Sequence, residues 1–313
     1  MKRIDNQTAE IRFDGRVAVV TGAGRALGRA HAMLLAERGA KVVVNDFGGG
    51  PDGAGGDTSV AQTVVAEIVA RGGEAVANTG DVSNQSDAHA MVAAAIDNYG
   101  RVDIVINNAG IMTVHDFASL PLEALRRQLE VHVVGAFNVT QQAWPHFVDQ
   151  QYGRVVMTIS TGVFGVAETV HYSCAKAGVI GLTRSLAVAG KDHGIMVNAL
   201  SPSAYSRLFS DPGLREFATP PADTAKEGRG EPETVVPVAA FLAHESCPVT
   251  GEMFSSTGTN VGRIILAATP GRTQENMTPE AVRDNWDTIY AVKDMAFPAS
   301  TREAVDLRRK WSL

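Results

Sequence analysis

Short runs of consecutive apolar residues alternate with longer stretches whose apolar positions return every three or four residues. The first kind predicts strands buried on both faces, the second amphipathic helices. Residues 16–20 form an apolar run that ends at Thr21-Gly22. Residues 26–39 follow as a helix, with Leu27, Ala30, Leu34 and Leu35 on one face and Gly39 at its end. The valine-rich 41–45 is a strand. Residues 48–57 hold six glycines and a proline, which no regular element tolerates. Helices are then predicted over 58–71, 87–99, 121–150, 172–193 and 234–244. Strands are predicted over 74–79, 102–107, 155–160, 196–201 and 253–256.

Such alternation is the signature of an α/β chain: a doubly wound parallel sheet with helices on both sides. One domain, residues 1–260, accounts for it. Within that domain, 206–233 has prolines, glycines and charges without a period and reads as a substrate loop. Residues 261–313 form a C-terminal extension with one helical piece, 278–290. There Thr278 is placed to cap the helix and Pro279 to occupy its first turn.

Composition narrows the function classes. The chain carries 28 Lys and Arg against 34 Asp and Glu, a formal charge of −6. That balance offers no attraction to nucleic acid or to an anionic membrane. No stretch of the sequence is apolar for long enough to span a bilayer. The first fourteen residues lack the apolar segment of a secretory signal. Two cysteines, Cys174 and Cys247, make neither a disulfide framework nor a zinc site. A soluble, metal-free protein of the cytoplasm is expected, with Cys174 a packing residue.

The first strand and helix are joined by Thr21-Gly22-Ala23-Gly24-Arg25-Ala26-Leu27-Gly28. Small residues at a helix N-terminus let a dinucleotide pyrophosphate reach backbone N–H groups at the positive end of the dipole. Asp46 closes the second strand, where a carboxylate can accept both adenosine-ribose hydroxyls and repel a 2′-phosphate. NAD is favoured on that ground. Arg25 argues for NADP, and Asp46 can alternatively be read as a turn residue before Gly48.

Tyr172-Ser173-Cys174-Ala175-Lys176 sets a phenol and an amine one turn apart on a helix. A phenol of pKa near ~10 is a poor base at neutral pH unless positive charge stabilises the phenolate. Ser160, at the end of the preceding strand, can donate to a substrate oxygen on which charge builds. Thr158 and Thr161 are its rivals for that role.

These residues, with the turn Asn107-Asn108-Ala109-Gly110, resemble the short-chain dehydrogenases/reductases over about residues 13–260. The resemblance implies a Rossmann-type sheet and a catalytic trio of Ser160, Tyr172 and Lys176. It also implies a cofactor site made of Gly22, Arg25, Ala26, Leu27, Gly28, Asp46, Asp81, Val82, Asn108, Ala109, Gly110, Tyr172, Lys176, Pro202 and Ser203. Three segments are similar to the (3R)-hydroxyacyl-CoA dehydrogenase portion of the peroxisomal multifunctional enzyme type 2 family: Val43 to Gly49, Glu130-Val131-His132, and Met277 to Trp286. The resemblance does not reach hydratase or sterol-carrier portions, so a stand-alone relative is expected.

Three positions depart from the family pattern. Ala26 replaces the usual second glycine, a change compatible with a helical start. Ser160 lies twelve residues before Tyr172, one short of the usual spacing. His132 stands where most members have an asparagine that holds a relay water; it either takes that role or merely bonds a nearby carbonyl. His115, His146, His171, His193 and His244 read as surface or loop residues. The resemblance further implies a homodimer or homotetramer joined through 121–150 and 172–193, with the extension over a substrate loop. Substrates consistent with it are a (3R)-3-hydroxyacyl-CoA or a 17β-hydroxysteroid, and Arg207, Arg215, Lys226 and Arg229 could face CoA phosphates. A non-catalytic NAD-binding protein is the reading from another class.

Overall fold

A computed structural model describes residues 10–204 and 230–311. Eight strands form one sheet in the order β3-β2-β1-β4-β5-β6-β7-β8. They are β1 Val17–Val20, β2 Lys41–Asn45, β3 Glu74–Asn78, β4 Ile104–Asn107, β5 Gly153–Thr158, β6 Ile195–Pro202, β7 Met253–Ser256 and β8 Val261–Ile264. Every pairing from β3 to β7 is parallel. The short link to β8 leaves room only for an antiparallel turn. Each residue of β1 and β4 is buried, as expected of strands covered on both faces.

The connecting helices are α1 Ala26–Glu37, α2 Ser59–Ala70, α3 Gln85–Tyr99, α4 Leu122–Leu129, α5 Gly135–Gln150, α6 Val170–Ala189 and α7 Pro232–Ala243. Local chemistry sets their ends. Asn84 caps α3 by accepting from Ser86 N–H at 2.8 Å, and Gly100 closes it at φ 77°. The single helix expected over 121–150 is interrupted: Glu130–Val134 is a π-helical turn between α4 and α5. An extra residue per turn is concealed in a sequence whose apolar period continues through it.

The core packs Phe13, Leu35, Ile68, Ile104, Ile106, Leu200 and Leu242 around the sheet. Chain order runs outward from β1 to β3, then returns to place β4 on the other side of β1. That reversal opens a crevice above the carboxyl ends of β1 and β4, where ligands bind in such sheets.

Two compact units are present, Met1–Arg263 and Ile264–Leu313. The second contains α8 Pro279–Asp284, α9 Trp286–Tyr290 and α10 Thr301–Trp311. Thr278 caps α8, accepting from Ala281 N–H at 3.1 Å, with Pro279 in the first turn as expected. The helix expected over 278–290 breaks at Asn285, and β8 was not anticipated from the sequence. None of the described residues from Ile264 onward is buried. Among the described residues no helix is long and apolar enough to cross a membrane. The expected substrate loop lies outside the described residues up to 229, and its last two positions, Pro232 and Glu233, belong to α7. Arg207, Arg215, Lys226 and Arg229 lie outside them too.

Candidate active site

The floor of the crevice is made by two loops bonded to each other. Thr21 Oγ accepts from the N–H groups of Asn108 and Ala109, both at 3.0 Å. Asn108 Nδ2 donates to the Thr21 and Gly22 carbonyls at 2.9 and 3.1 Å. The approach is close enough to demand glycine. A Cβ on Gly22, at φ +61°, would stand 2.8 Å from Ala109 Cα, and one on Gly28 would stand 1.9 Å from Gly22 O.

α1 begins without a side-chain cap and without an acid in its first turn, so no side chain among the described residues caps its leading N–H groups. Ala26 sits there at φ +43°. The expectation that alanine suits this position as a helical start is therefore corrected: the backbone is left-handed, where a Cβ is unfavourable and glycine is at ease.

Asp46 is buried at the end of β2. Its carboxylate accepts from Gly24 N–H at 2.8 Å and from Gly48 N–H at 2.7 Å. The turn reading of Asp46 and its place on the cleft wall thus hold together. The Arg25 guanidinium donates to Gly49 O at 3.4 Å.

At the other end of the cleft lie the hydroxyls. Ser160 caps a 3-10 turn, Thr161–Phe164, its Oγ accepting from Gly162 N–H at 3.0 Å. Ser160 and Tyr172 both line the cleft. Thr158 lines the cleft, and its carbonyl receives Lys176 Nζ at 2.7 Å; Thr161 is exposed and outside it. Lys176 Nζ lies 5.5 Å from the centre of the Tyr172 ring.

Burial governs the charges here. It lowers the Lys176 amine to about 7. It also raises the Tyr172 phenol above its ordinary value, partly offset by the nearby Ser160 hydroxyl. On the protein's own groups alone the phenol therefore moves opposite to the direction expected from a neighbouring ammonium. Desolvation outweighs that attraction when the ammonium is itself buried and easily discharged.

His132 projects from the π-helical turn and is buried against the Tyr172 ring, centroids 5.4 Å apart and edge to face. Burial first, then the charge of Lys176, holds its pKa well below the usual imidazole range. Its Nε2 lies 2.8 Å from Ile111 O and 3.3 Å from Ile111 N. The shorter contact assigns the proton to Nε2, donating to the carbonyl. That leaves Nδ1 a buried acceptor with no partner among the described residues. A cavity of about 10 Å³ adjoins His132, lined also by Thr21, Asn107, Thr158 and Lys176. It has room for one water.

One cleft brings together Gly22, Arg25, Ala26, Leu27, Gly28, Asp46, Asp81, Val82, Asn108, Ala109, Gly110, His132, Ser160, Tyr172, Lys176 and Pro202. Ser203 is not on its wall: it is exposed, and its N–H is bonded to Ser256 O at 2.8 Å. Pro202 and Ala204 face the cleft instead, by the alternation of an extended segment. His171 is likewise corrected. It is buried, with Nε2 2.8 Å from Thr113 Oγ and its ring 5.4 Å from that of His115. Sequence reasoning missed Phe47, Gly49, Gly50 and Gly53 from the glycine-rich loop, and Arg127 from α4.

Residues 16–207 match the family described as short chain dehydrogenase. The chain belongs to the short-chain dehydrogenase family. It is thereby an oxidoreductase acting on CH–OH groups. It is 40% identical over 299 residues to mouse peroxisomal multifunctional enzyme type 2, covering 94% of this chain and 39% of that protein. This dehydrogenase thus spans about two-fifths of the mouse relative. A short-chain dehydrogenase from Mycobacterium avium superimposes with a TM-score of 0.74 at 33% identity, covering 88% of this chain and 96% of the other. A 7α-hydroxysteroid dehydrogenase, solved with NADH and 7-oxo glycochenodeoxycholic acid, gives 0.68 at 28% identity, covering 79% of this chain and 94% of that one.

Proposed function

We propose that this enzyme oxidises a (3R)-3-hydroxyacyl-CoA with NAD, or reduces the corresponding ketone with NADH. The observation that carries the redox reading is the meeting of Ser160, Tyr172 and buried Lys176 on the wall of one cleft, at the end away from Asp46. The identity to the multifunctional enzyme across almost the whole chain supports the acyl-CoA class.

A dinucleotide fits the residues present. The α1 N-terminus lacks a cap, and a Cβ would fill the cradle at Gly22 and Gly28. These positions, with Leu27, Asn108, Ala109 and Gly110, would hold the pyrophosphate and ribose. Asp46, Asp81 and Val82 would hold the adenosine, and Pro202 the nicotinamide end. Asp46 favours NAD over NADP, against Arg25. When bound, NAD supplies the hydride acceptor for the carbinol C–H, so the protein's task is the O–H proton.

That proton passes to Tyr172 Oη while Ser160 Oγ donates to the substrate oxygen. Lys176 Nζ holds positive charge beneath the phenolate, which stabilises it. His132 Nδ1, kept neutral, would accept from a water and so hold it beside Lys176. Alcohol oxidation then rises with pH as Tyr172 loses its proton.

A hydroxysteroid substrate is the second reading, favoured by the likeness to the 7α-hydroxysteroid dehydrogenase. A non-catalytic NAD binder has no use for the Tyr172–Ser160 pair. Assembly as a homodimer or homotetramer through α5 and α6 accords with exposed Phe137 and Val188 and with open space at Gly181. The extension 261–313 would cover a substrate loop of its own or a neighbouring subunit, in keeping with its exposed Trp286, Tyr290 and Phe297. Against a cytoplasmic location stands the peroxisomal name of the mouse relative.

The test is the initial rate with NAD and with NADP, using (3R)-hydroxyacyl-CoA and a 17β-hydroxysteroid in parallel. Thioester turnover with NAD is expected. Steroid turnover alone would move the assignment to the second reading, and activity only with NADP would show Arg25 outweighing Asp46.

A further inference from the structure

The loop between β2 and α2 does not hang from its own edge of the sheet. Its near end is fixed by the Asp46 bonds to Gly24 and Gly48 N–H and by Arg25 on Gly49 O. Its far end reaches the segment after β4, where Met112 N–H donates to Pro51 O at 2.9 Å. β2 and β4 are separated by β1, so the loop spans two inter-strand spacings, about 10 Å, over the carboxyl end of β1. The glycine turn that would seat the pyrophosphate begins at that same end.

The span is a built turn. Gly50 N–H donates to Ala54 O at 2.7 Å, Gly53 N–H to Gly50 O at 3.0 Å, and Ala54 N–H to the Asp52 carboxylate at 3.0 Å. Gly53, at φ +82°, is pressed down so closely that a Cβ would stand 3.1 Å from Ile111 Cγ2 and 3.3 Å from Arg127 Nη2. Arg127 in turn grips the floor on the β3 side. Nη2 donates to Asp81 Oδ2 at 3.2 Å and Nη1 to Ser83 Oγ at 3.1 Å. Ser83 Oγ itself donates to Asp81 Oδ1 at 2.7 Å. One guanidinium thus fixes the Asp81 carboxylate and forms the seat on which the loop rests.

We propose that Arg127 and the strap 47–57 are cofactor-positioning elements: the strap closes over the adenosine half of the dinucleotide, and Arg127 seats it while aiming Asp81. This rests on the dinucleotide reading given above. A ligand threaded beneath a strap leaves only when the strap lifts, so the strap acts chiefly on release.

The test uses the full-length protein with NADH as probe. Release is followed by stopped-flow fluorescence for wild type, Arg127→Ala, Gly53→Val and Asp52→Ala; the last alters an exposed position and preserves the fold. Release about tenfold faster, with association changed less than about twofold, is the expected result for Arg127→Ala and Gly53→Val, and a smaller rise for Asp52→Ala. Amide exchange in wild type supplies a readout independent of folding of the variants: NADH should slow exchange across 47–57. Release rates within about twofold of wild type in all three variants, or strap amides indifferent to NADH, would overturn the proposal. A wild-type protein that binds neither NADH nor NADPH would overturn the cofactor reading and the strap together. Binding of NADPH alone, with the same pattern of release, would sustain the strap and correct only the cofactor.

Discussion

The two ends of the sheet treat buried polar groups in opposite ways. At the amino ends of β1, β4 and β5, Asp103 is fully buried and fully engaged. It accepts from Val17 N–H at 3.0 Å, Arg16 at 3.1 Å and Arg101 at 2.7 and 2.6 Å. Arg154 donates to the carbonyls of Gly153, Gly194 and His244, and both it and Arg16 lie over the Tyr152 ring. At the carboxyl ends, by contrast, His132 Nδ1 and Ser173 Oγ are buried without partners, and Lys176 is buried with a pKa of about 7. Unmade bonds oppose folding, so the fold tolerates them where a ligand or a moving proton will use them. One end contributes stability; the other keeps donors and acceptors in reserve.

Substitutions at each end should therefore separate stability from activity. The largest effect on stability is expected for Asp103→Ala, which leaves the buried Val17 N–H without its acceptor and removes the carboxylate shared by the partly exposed Arg16 and Arg101. It should cost about 2–3 kcal/mol in urea unfolding while the folded enzyme keeps its kcat. Lys176→Met should do the reverse: activity falls by about a hundredfold or more, and stability at pH 7 holds or rises by up to a few kcal/mol. The sign follows from the depressed pKa. The unfolded chain binds the proton more tightly than the native one, so the native lysine weakens folding at pH 7. That penalty fades as pH climbs toward 10, and the gain from methionine should fade with it. His31 is buried away from both ends and held at about 4. Its folded pKa lies below its unfolded one, so on lowering pH from 7 to 5 wild type should lose about 2 kcal/mol more stability than His31→Leu. Smallest is Ala26→Gly, expected to stabilise by about 0.5 kcal/mol by relieving the left-handed alanine. Destabilisation there would mean the strain is not felt.

Much of this was legible beforehand because the chemistry is local. Residues 21–28, the turn Asn107 to Gly110, and Tyr172 with Lys176 are read from spacings of a few positions, and they meet in one cleft. What escaped depends on contacts across the sheet. Arg127 has the spacing of an ordinary helix residue, and only its bonds to Asp81 and Ser83 give it a place. The glycine-rich loop was recognised as irregular, but its path over β1 is set by Met112 on a distant segment. Ser203 failed because one residue of extended chain reverses the facing of a side chain. For His132 the sequence left two readings open; the structure shows the carbonyl bond through Nε2, and Nδ1 remains an acceptor that the relay reading can use.

The central claim is that the Tyr172 hydroxyl carries the substrate proton at the end of the sheet that does not contribute stability. Its most direct test is kcat for NAD-linked oxidation by Tyr172→Phe, measured beside urea unfolding of the same protein. A fall in kcat of about a thousandfold or more, with unfolding free energy within about 1 kcal/mol of wild type, is the expected result. Activity within about tenfold of wild type, or loss of activity only in step with loss of fold, would contradict it.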